Sequence, residues 1–201
     1  ALVGAAGSAS LAGWGPALAG MLGGSTGGAQ AGDEPAWTAL QQPGAIFLMR
    51  HAHAPGVGDP PEFRLGACGT QRNLDEQGRQ EARRLGEMFR ERGIRLGAVL
   101  TSQWCRARDT ARLAFGALAP GGVRDEPVFN SFFAGHGHPQ RQTAAARALL
   151  RRWQGSGVLV VVTHQVNVHA LTDAFLAPAE GLVVRPSDGD APLPVLARLR
   201  P

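Results

Sequence analysis

The chain has 201 residues, 44% apolar and 18% charged, which suits one globular domain and excludes a wholly disordered chain or a coiled coil. All 20 basic residues are arginine against 16 acidic residues, so the net charge is only +4. The absence of lysine excludes Schiff-base chemistry and the usual phosphate-loop lysine, and two cysteines exclude a disulfide-dense framework and a four-cysteine zinc site.

Residues 1–31 carry no charge and are built from Ala, Gly, Leu and Ser, with Pro16 in the middle. The segment is too broken for a membrane span and reads as the apolar part of an export signal, with Ala29-Gln30-Ala31 as a small-x-small cleavage site. A body over residues 33–201 in a periplasmic or otherwise exported location is therefore expected. Membrane contact is expected only through residues 1–31, if they are uncleaved.

Strand and helix signals then alternate. Residues 45–49 form a continuous apolar run, as a buried parallel strand does. A Pro/Gly-rich loop covers 55–69. Asn73 with Glu76 predicts a capping box, opening a helix striped by Leu74, Ala82, Leu85, Met88 and Phe89 and closed by Gly93. Residues 97–101 predict a strand, and Ser102 predicts the cap of a helix to about Phe115. Residues 119–138 read mostly as loop, 142–153 as helix, 158–162 as the strongest strand and 165–175 as helix. Residues 181–184 and 195–199 complete the pattern as strands. The expected fold class is α/β: a three-layer sandwich with a mostly parallel central sheet flanked by helices.

Chemistry in such folds sits beyond the C-terminal ends of the strands. There the sequence places Arg50, His51 and His53, then Ser102 and Arg106, then His164. Arginine offers planar bidentate donors to phosphate oxygens, and a neutral histidine nitrogen can attack phosphorus. Neighbouring positive charge favours that neutral form. The remaining arginines are scattered among Glu and Asp, as in Glu81-Ala82-Arg83-Arg84, so no nucleic-acid partner is expected.

Leu48-Met49-Arg50-His51-Ala52 resembles the Arg-His-Gly signature of the histidine phosphatase superfamily (phosphoglycerate mutase-like). The stretch from Thr101 to Ala111 is similar to that superfamily's Ser…Arg-Ala…Thr-Ala segment, and Val162-Thr163-His164 to its second histidine. The resemblance spans residues 45–184. It implies a metal-independent, cofactor-free phosphatase acting on a phosphomonoester or phosphoramidate. His51 would accept the phosphoryl group, and Arg50, Arg106 and His164 would bind it. Arg72 and Asn73 would stand at the pocket rim, with Ser102 and His53 as further substrate-binding residues. Asn130-Ser131-Phe132-Phe133 adds a likeness to a small exported branch, in which the partner is a phosphorylated small molecule or an envelope glycolipid of the lipopolysaccharide-core kind.

The sequence departs from the superfamily at Ala52 and Gln165, where glycine is common, and in the leaving-group acid. Residues 128–138 hold no carboxylate. Glu126, His136 and His138 are the candidate proton donors, with Pro127 directing Glu126 into extended backbone. The pairs His51/His53 and His136/His138 lack a carboxylate third-ligand pattern, so no metal is implied. Cys68 and Cys105 are either ordinary small residues or a disulfide tying the loop to the following helix. The alternative function is a domain of the same fold that binds phosphorylated ligands without turnover.

Overall fold

The computed structural model describes residues 1–4 and 32–201. The rest of the export-signal-like segment, with its cleavage site, lies outside the described residues. The order is α1 (Glu34–Leu40), β1 (Ile46–Arg50), α2 (Glu76–Glu91), β2 (Leu96–Thr101), α3 (Cys105–Phe115), β3 (Val123–Asp125), α4 (Pro139–Arg151), β4 (Val158–Thr163), α5 (Gln165–Thr172), β5 (Gly181–Val184) and β6 (Val195–Leu199). The six strands form one sheet in the order β3-β2-β4-β1-β5-β6. β1, β2, β3 and β4 are mutually parallel, and β5 pairs antiparallel with β1 and with β6. The sheet is thus mixed and mostly parallel, with helices on both faces.

Side-chain alternation on the central strands separates two cores. Phe47 and Met49 of β1 join Val158, Val160 and Val162 of β4 under α1, α2 and α3, with Leu85, Phe89 and Phe115. Ile46 and Leu48 join Leu159 and Val161 on the other face, with Leu150 of α4 and Val168 and Leu171 of α5. Because both faces are covered, these strands read as continuous apolar runs rather than alternating ones.

Three expectations are corrected. Helix α1 falls in no predicted element, although Pro35 and Glu34 in its first turn are ordinary helix-start signals. Its Trp37 packs edge-on against Phe89 at 5.5 Å. The cap of α2 is Asp75, which accepts from the Gly78 N–H at 2.9 Å, and not Asn73. Asn73 instead donates its side-chain amide to the carbonyls of Cys68 and Gln71. Helix α5 stops at Thr172, where Asp173 turns left-handed at φ 58°, short of the expected Phe175.

Helices α2 and α3 approach closely through Gly86. A methyl group there would lie 2.2 Å from the Ala114 carbonyl oxygen, a distance that backbone cannot accommodate without movement. Alanine gains up to about 1 kcal/mol in helix propensity over glycine, while overpacking a tight core costs about 1–3 kcal/mol. Gly86→Ala is expected to lower the urea midpoint of unfolding. An unchanged or raised midpoint would show that the helices part at no cost.

Candidate active site

The site is built at the C-terminal edge of the parallel strands. β1 pairs with β4 so that Arg50 lies opposite Thr163, and the next residue of each strand is a histidine. The His51 N–H donates to the Thr163 carbonyl at 2.9 Å, which fixes the two chain exits relative to one another. The rings of His51 and His164 stand edge-on with centroids 5.3 Å apart. β2 ends alongside: the Ser102 N–H donates to the Val162 carbonyl, and α3 then begins, carrying Arg106 in its first turn.

A cavity of about 200 Å³ opens over these residues, lined by Arg50, His51, Arg72, Arg106, His164 and Gln165, with Val57 and Phe133 also on its wall. The His51 Nδ1 lies 2.8 Å from the Ala52 carbonyl oxygen. A carbonyl only accepts, so Nδ1 carries the proton and Nε2 keeps its lone pair. The Arg106 Nε–H donates to that Nε2 at 3.2 Å. Ala52 is held in turn, since its N–H donates to Thr110 Oγ1 at 3.0 Å, and that hydroxyl donates to the Arg106 carbonyl.

His164 is oriented from behind. Its Nε2 lies 2.8 Å from Ser102 Oγ, which is 3.3 Å from Asn130 Oδ1. The same Asn130 oxygen accepts the Gln103 N–H. The Nδ1 of His164 and the Nε of Arg50 are buried without a hydrogen-bond partner. Buried polar atoms are rarely left so, and both belong to residues on the cavity wall. They suit the oxygens of an anion.

Both imidazoles are held well below their ordinary value of 6.5. For His51 burial is the largest cause and the charge of Arg106 the next. For His164 burial again leads, followed by His51. The expectation that neighbouring charge keeps His51 neutral thus has the right sign, with desolvation ahead of it. Burial also lowers Arg72, with Arg106 second, to about 10.

The other anticipated residues lie off the cavity wall. Asn73 faces its own loop, as described, and His53 pairs through Nδ1 with Asp75 at 2.9 Å. Ser102 sits behind His164. Glu126 lies at the far edge of the sheet in a separate hollow with Leu149 and Trp153, because β3 carries the chain there before Pro127 turns it. His138 lines a shallow surface hollow with Val128 and Arg141. His136 packs against Phe63 at 4.7 Å with the rings tilted by 56°, and edge-on to Trp104 at 5.9 Å; it is not among the residues lining the cavity.

Two residues absent from the expectations complete the site. Gln71 Oε1 accepts the Cys105 N–H at 2.9 Å, satisfying one of the open donors of α3. Asp59, from the loop after His51, binds Arg106 with both carboxylate oxygens, at 2.7 and 3.1 Å. Cys68 and Cys105 form a disulfide with Cα atoms 5.6 Å apart, linking the loop before Arg72 to the residue before Arg106.

The family model of the histidine phosphatase superfamily (branch 1) matches residues 46–130. Residues 46–130 thus resemble this superfamily, in line with the likeness read from the sequence. The matched segment carries Arg50, His51, Arg72 and Arg106, while His164 lies beyond it and enters through the β1–β4 pairing. Solved structures share the fold. The protein histidine phosphatase SixA, complexed with tungstate, is 17% identical at a TM-score of 0.55, covering 77% of this chain and 96% of its own. The Mycobacterium tuberculosis Rv3214 product is 16% identical at 0.55, covering 76% and 96%. The Entamoeba histolytica phosphoserine phosphatase, complexed with 3-phosphoglyceric acid, is 12% identical at 0.54, covering 78% and 97%. No curated protein matches the sequence.

Two measurements follow from this geometry. His51 and His164 take up protons more readily unfolded than folded, so their contribution is complete above pH 6.5 and is lost as pH falls below it. Each costs up to about 1.4 kcal/mol per pH unit in that window. Wild type is therefore expected to lose more stability between pH 7 and pH 5 than His51→Asn does; equal losses would contradict the buried neutral state. The disulfide closes a separation of 37 residues, for which chain entropy gives at most about 4 kcal/mol. Replacing both cysteines by alanine is expected to lower the unfolding free energy by a sizeable part of that amount in urea, and no loss would show the loop to be held without the bond.

Proposed function

We propose that this chain is a phosphatase that hydrolyses a phosphomonoester or phosphoramidate through a phosphohistidine at His51. The observation that carries the reading is the single tautomer of His51, whose Nε2 lone pair meets the cavity beside three arginines. Nε2 attacks phosphorus, a P–N bond forms, and the bond to the leaving oxygen or nitrogen breaks. Water then attacks the phosphohistidine, restoring the imidazole and releasing phosphate. Arg50, Arg72 and Arg106 stabilise the charge on the transferring group, and His164 contributes through Nδ1.

No Asp or Glu is among the residues described on the cavity wall. General acid catalysis is worth about 10²–10⁴-fold, so the reading favours leaving groups that depart without a carboxylic acid, such as phosphoramidates and activated esters. The Cys68–Cys105 bond supports an oxidising, exported location, since such bonds persist there and are rare in the cytosol. That location gives access to envelope phosphates.

The test is turnover of p-nitrophenyl phosphate with trapping of an acid-labile, alkali-stable phosphoenzyme. His51→Ala is expected to abolish the phosphoenzyme and lower kcat by 10³-fold or more. Glu126→Gln and His138→Ala are expected to stay within a few-fold of wild type. Phosphate binding by wild type without turnover on a broad panel would favour the binding-domain alternative; a loss of about 10²-fold in Glu126→Gln alone would return the acid role to Glu126.

A further inference from the structure

We infer that Asp59 is a positioning residue for Arg106: it holds one edge of the guanidinium so that the opposite edge meets the phosphoryl group at His51 Nε2. The inference rests on the reading of His51 and Arg106 as the phosphoryl site.

Asp59 Oδ1 accepts from Arg106 Nη1 and from the Arg72 backbone N–H, at 2.7 and 3.1 Å. Oδ2 accepts from Arg106 Nη2 and from the Trp104 indole N–H, at 3.1 and 3.0 Å. Four donors thus meet the carboxylate, whose side chain is only 3% exposed. A carboxyl group so surrounded by N–H groups is ionised. Burial pushes its pKa up, but the Arg106 contacts, aided by Trp104 and Arg72, outweigh burial and leave it below the ordinary value. Asp59 therefore has no proton to give a leaving group.

Arg106 has five N–H donors. Two meet Asp59, a second Nη1 hydrogen meets the Arg72 carbonyl at 3.2 Å, and Nε–H meets His51 Nε2. The fifth is the second hydrogen of Nη2, which lies on the same edge as Nε–H. Guanidinium geometry thus leaves a side-on pair, Nε–H and Nη2–H, for a phosphoryl group bonded to His51 Nε2. The carboxylate and the phosphoryl oxygens use different edges and do not compete.

The Asp59 loop is itself anchored. Arg72 donates through Nε to Gly58 and through Nη1 to Ala54, and Gly56 and Gly58 take φ of 86° and 73°, where a side chain is disfavoured. Residues 54–59 therefore tie Arg72 and Arg106 into one rigid unit. An arginine released from such a clamp keeps its charge but loses its aim, and a misplacement of about 1 Å costs on the order of 10²-fold in rate.

The test compares wild type, Asp59→Asn and Asp59→Ala by calorimetric binding of inorganic phosphate and by kinetics on p-nitrophenyl phosphate. Circular dichroism and thermal unfolding accompany each variant. Asp59→Asn is expected to weaken phosphate binding at least ten-fold and to lower kcat about 10²-fold. Formate added to Asp59→Ala is expected to restore part of kcat without moving its melting temperature, a rescue that a purely structural carboxylate would not give. A folded Asp59→Asn that binds phosphate as wild type does and turns over within three-fold overturns the inference while leaving the phosphatase reading intact. Tighter phosphate binding in that variant also overturns it, since the carboxylate would then be a competitor. Wild type that binds no phosphate overturns the reading and the inference together. If Asp59→Asn does not fold, Asp59→Glu, which keeps the charge and moves it by one methylene, takes its place with the same expected losses.

Discussion

Parallel pairing of β1 with β4 sets the geometry on which the rest depends. In a parallel pair both strands leave the sheet at the same edge, so in-register pairing of Arg50 with Thr163 delivers two histidines side by side. β2 flanks β4 in the same direction and delivers Ser102 and, one helical turn later, Arg106. No long loop is needed to assemble the core of the site, because the backbone ladder does it. The antiparallel β5 contributes differently: the chain leading into it brings the Leu176 carbonyl to Arg50 Nη1 at 2.9 Å, fixing one guanidinium nitrogen while Nε has no protein partner.

Burying this much positive charge near two imidazoles has a cost that the surroundings offset unevenly. The imidazoles respond by staying neutral, which is the state a nucleophilic nitrogen needs. The guanidiniums cannot respond in that way, and each is compensated by oxygen acceptors: a carbonyl for Arg50, two carbonyls for Arg72, and a carboxylate with a carbonyl for Arg106. Only the most deeply placed arginine receives a full negative charge. The hydrogen bond from the Trp104 indole to that carboxylate also fixes a ring that stands edge-on to His164, with centroids 5.6 Å apart.

Arg50, His51, Arg106 and His164 were legible as one cluster because each follows a strong periodic element whose end can be located. β1 and β4 are continuous apolar runs, so the polar residue after each run stands out. Asp59 was not legible, since the loop around it has no period and the contact spans 47 positions to Arg106. Gln71 was hidden for the same reason, its partner being a backbone N–H on another element. The start of α2 was misread because Asn73 and Asp75 are both good caps. The deciding contacts lie outside the helix: the Asn73 amide is taken up by the Cys68 and Gln71 carbonyls, and Asp75, held against His53, is left to accept the Gly78 N–H. The three-residue β3 is too short for any pattern, and without it the remoteness of Glu126 could not be seen.

The arginine-only composition has a consequence at the cavity wall. A lysine there could be driven neutral by burial, and the field on a bound anion would then fade with alkali. Guanidinium groups stay charged in neutral solution, and even Arg72, lowered by burial to about 10, is a cation there. The cationic frame is therefore a constant. Between mildly acidic and mildly alkaline solution, whatever titrates in this cavity is an imidazole or the ligand itself.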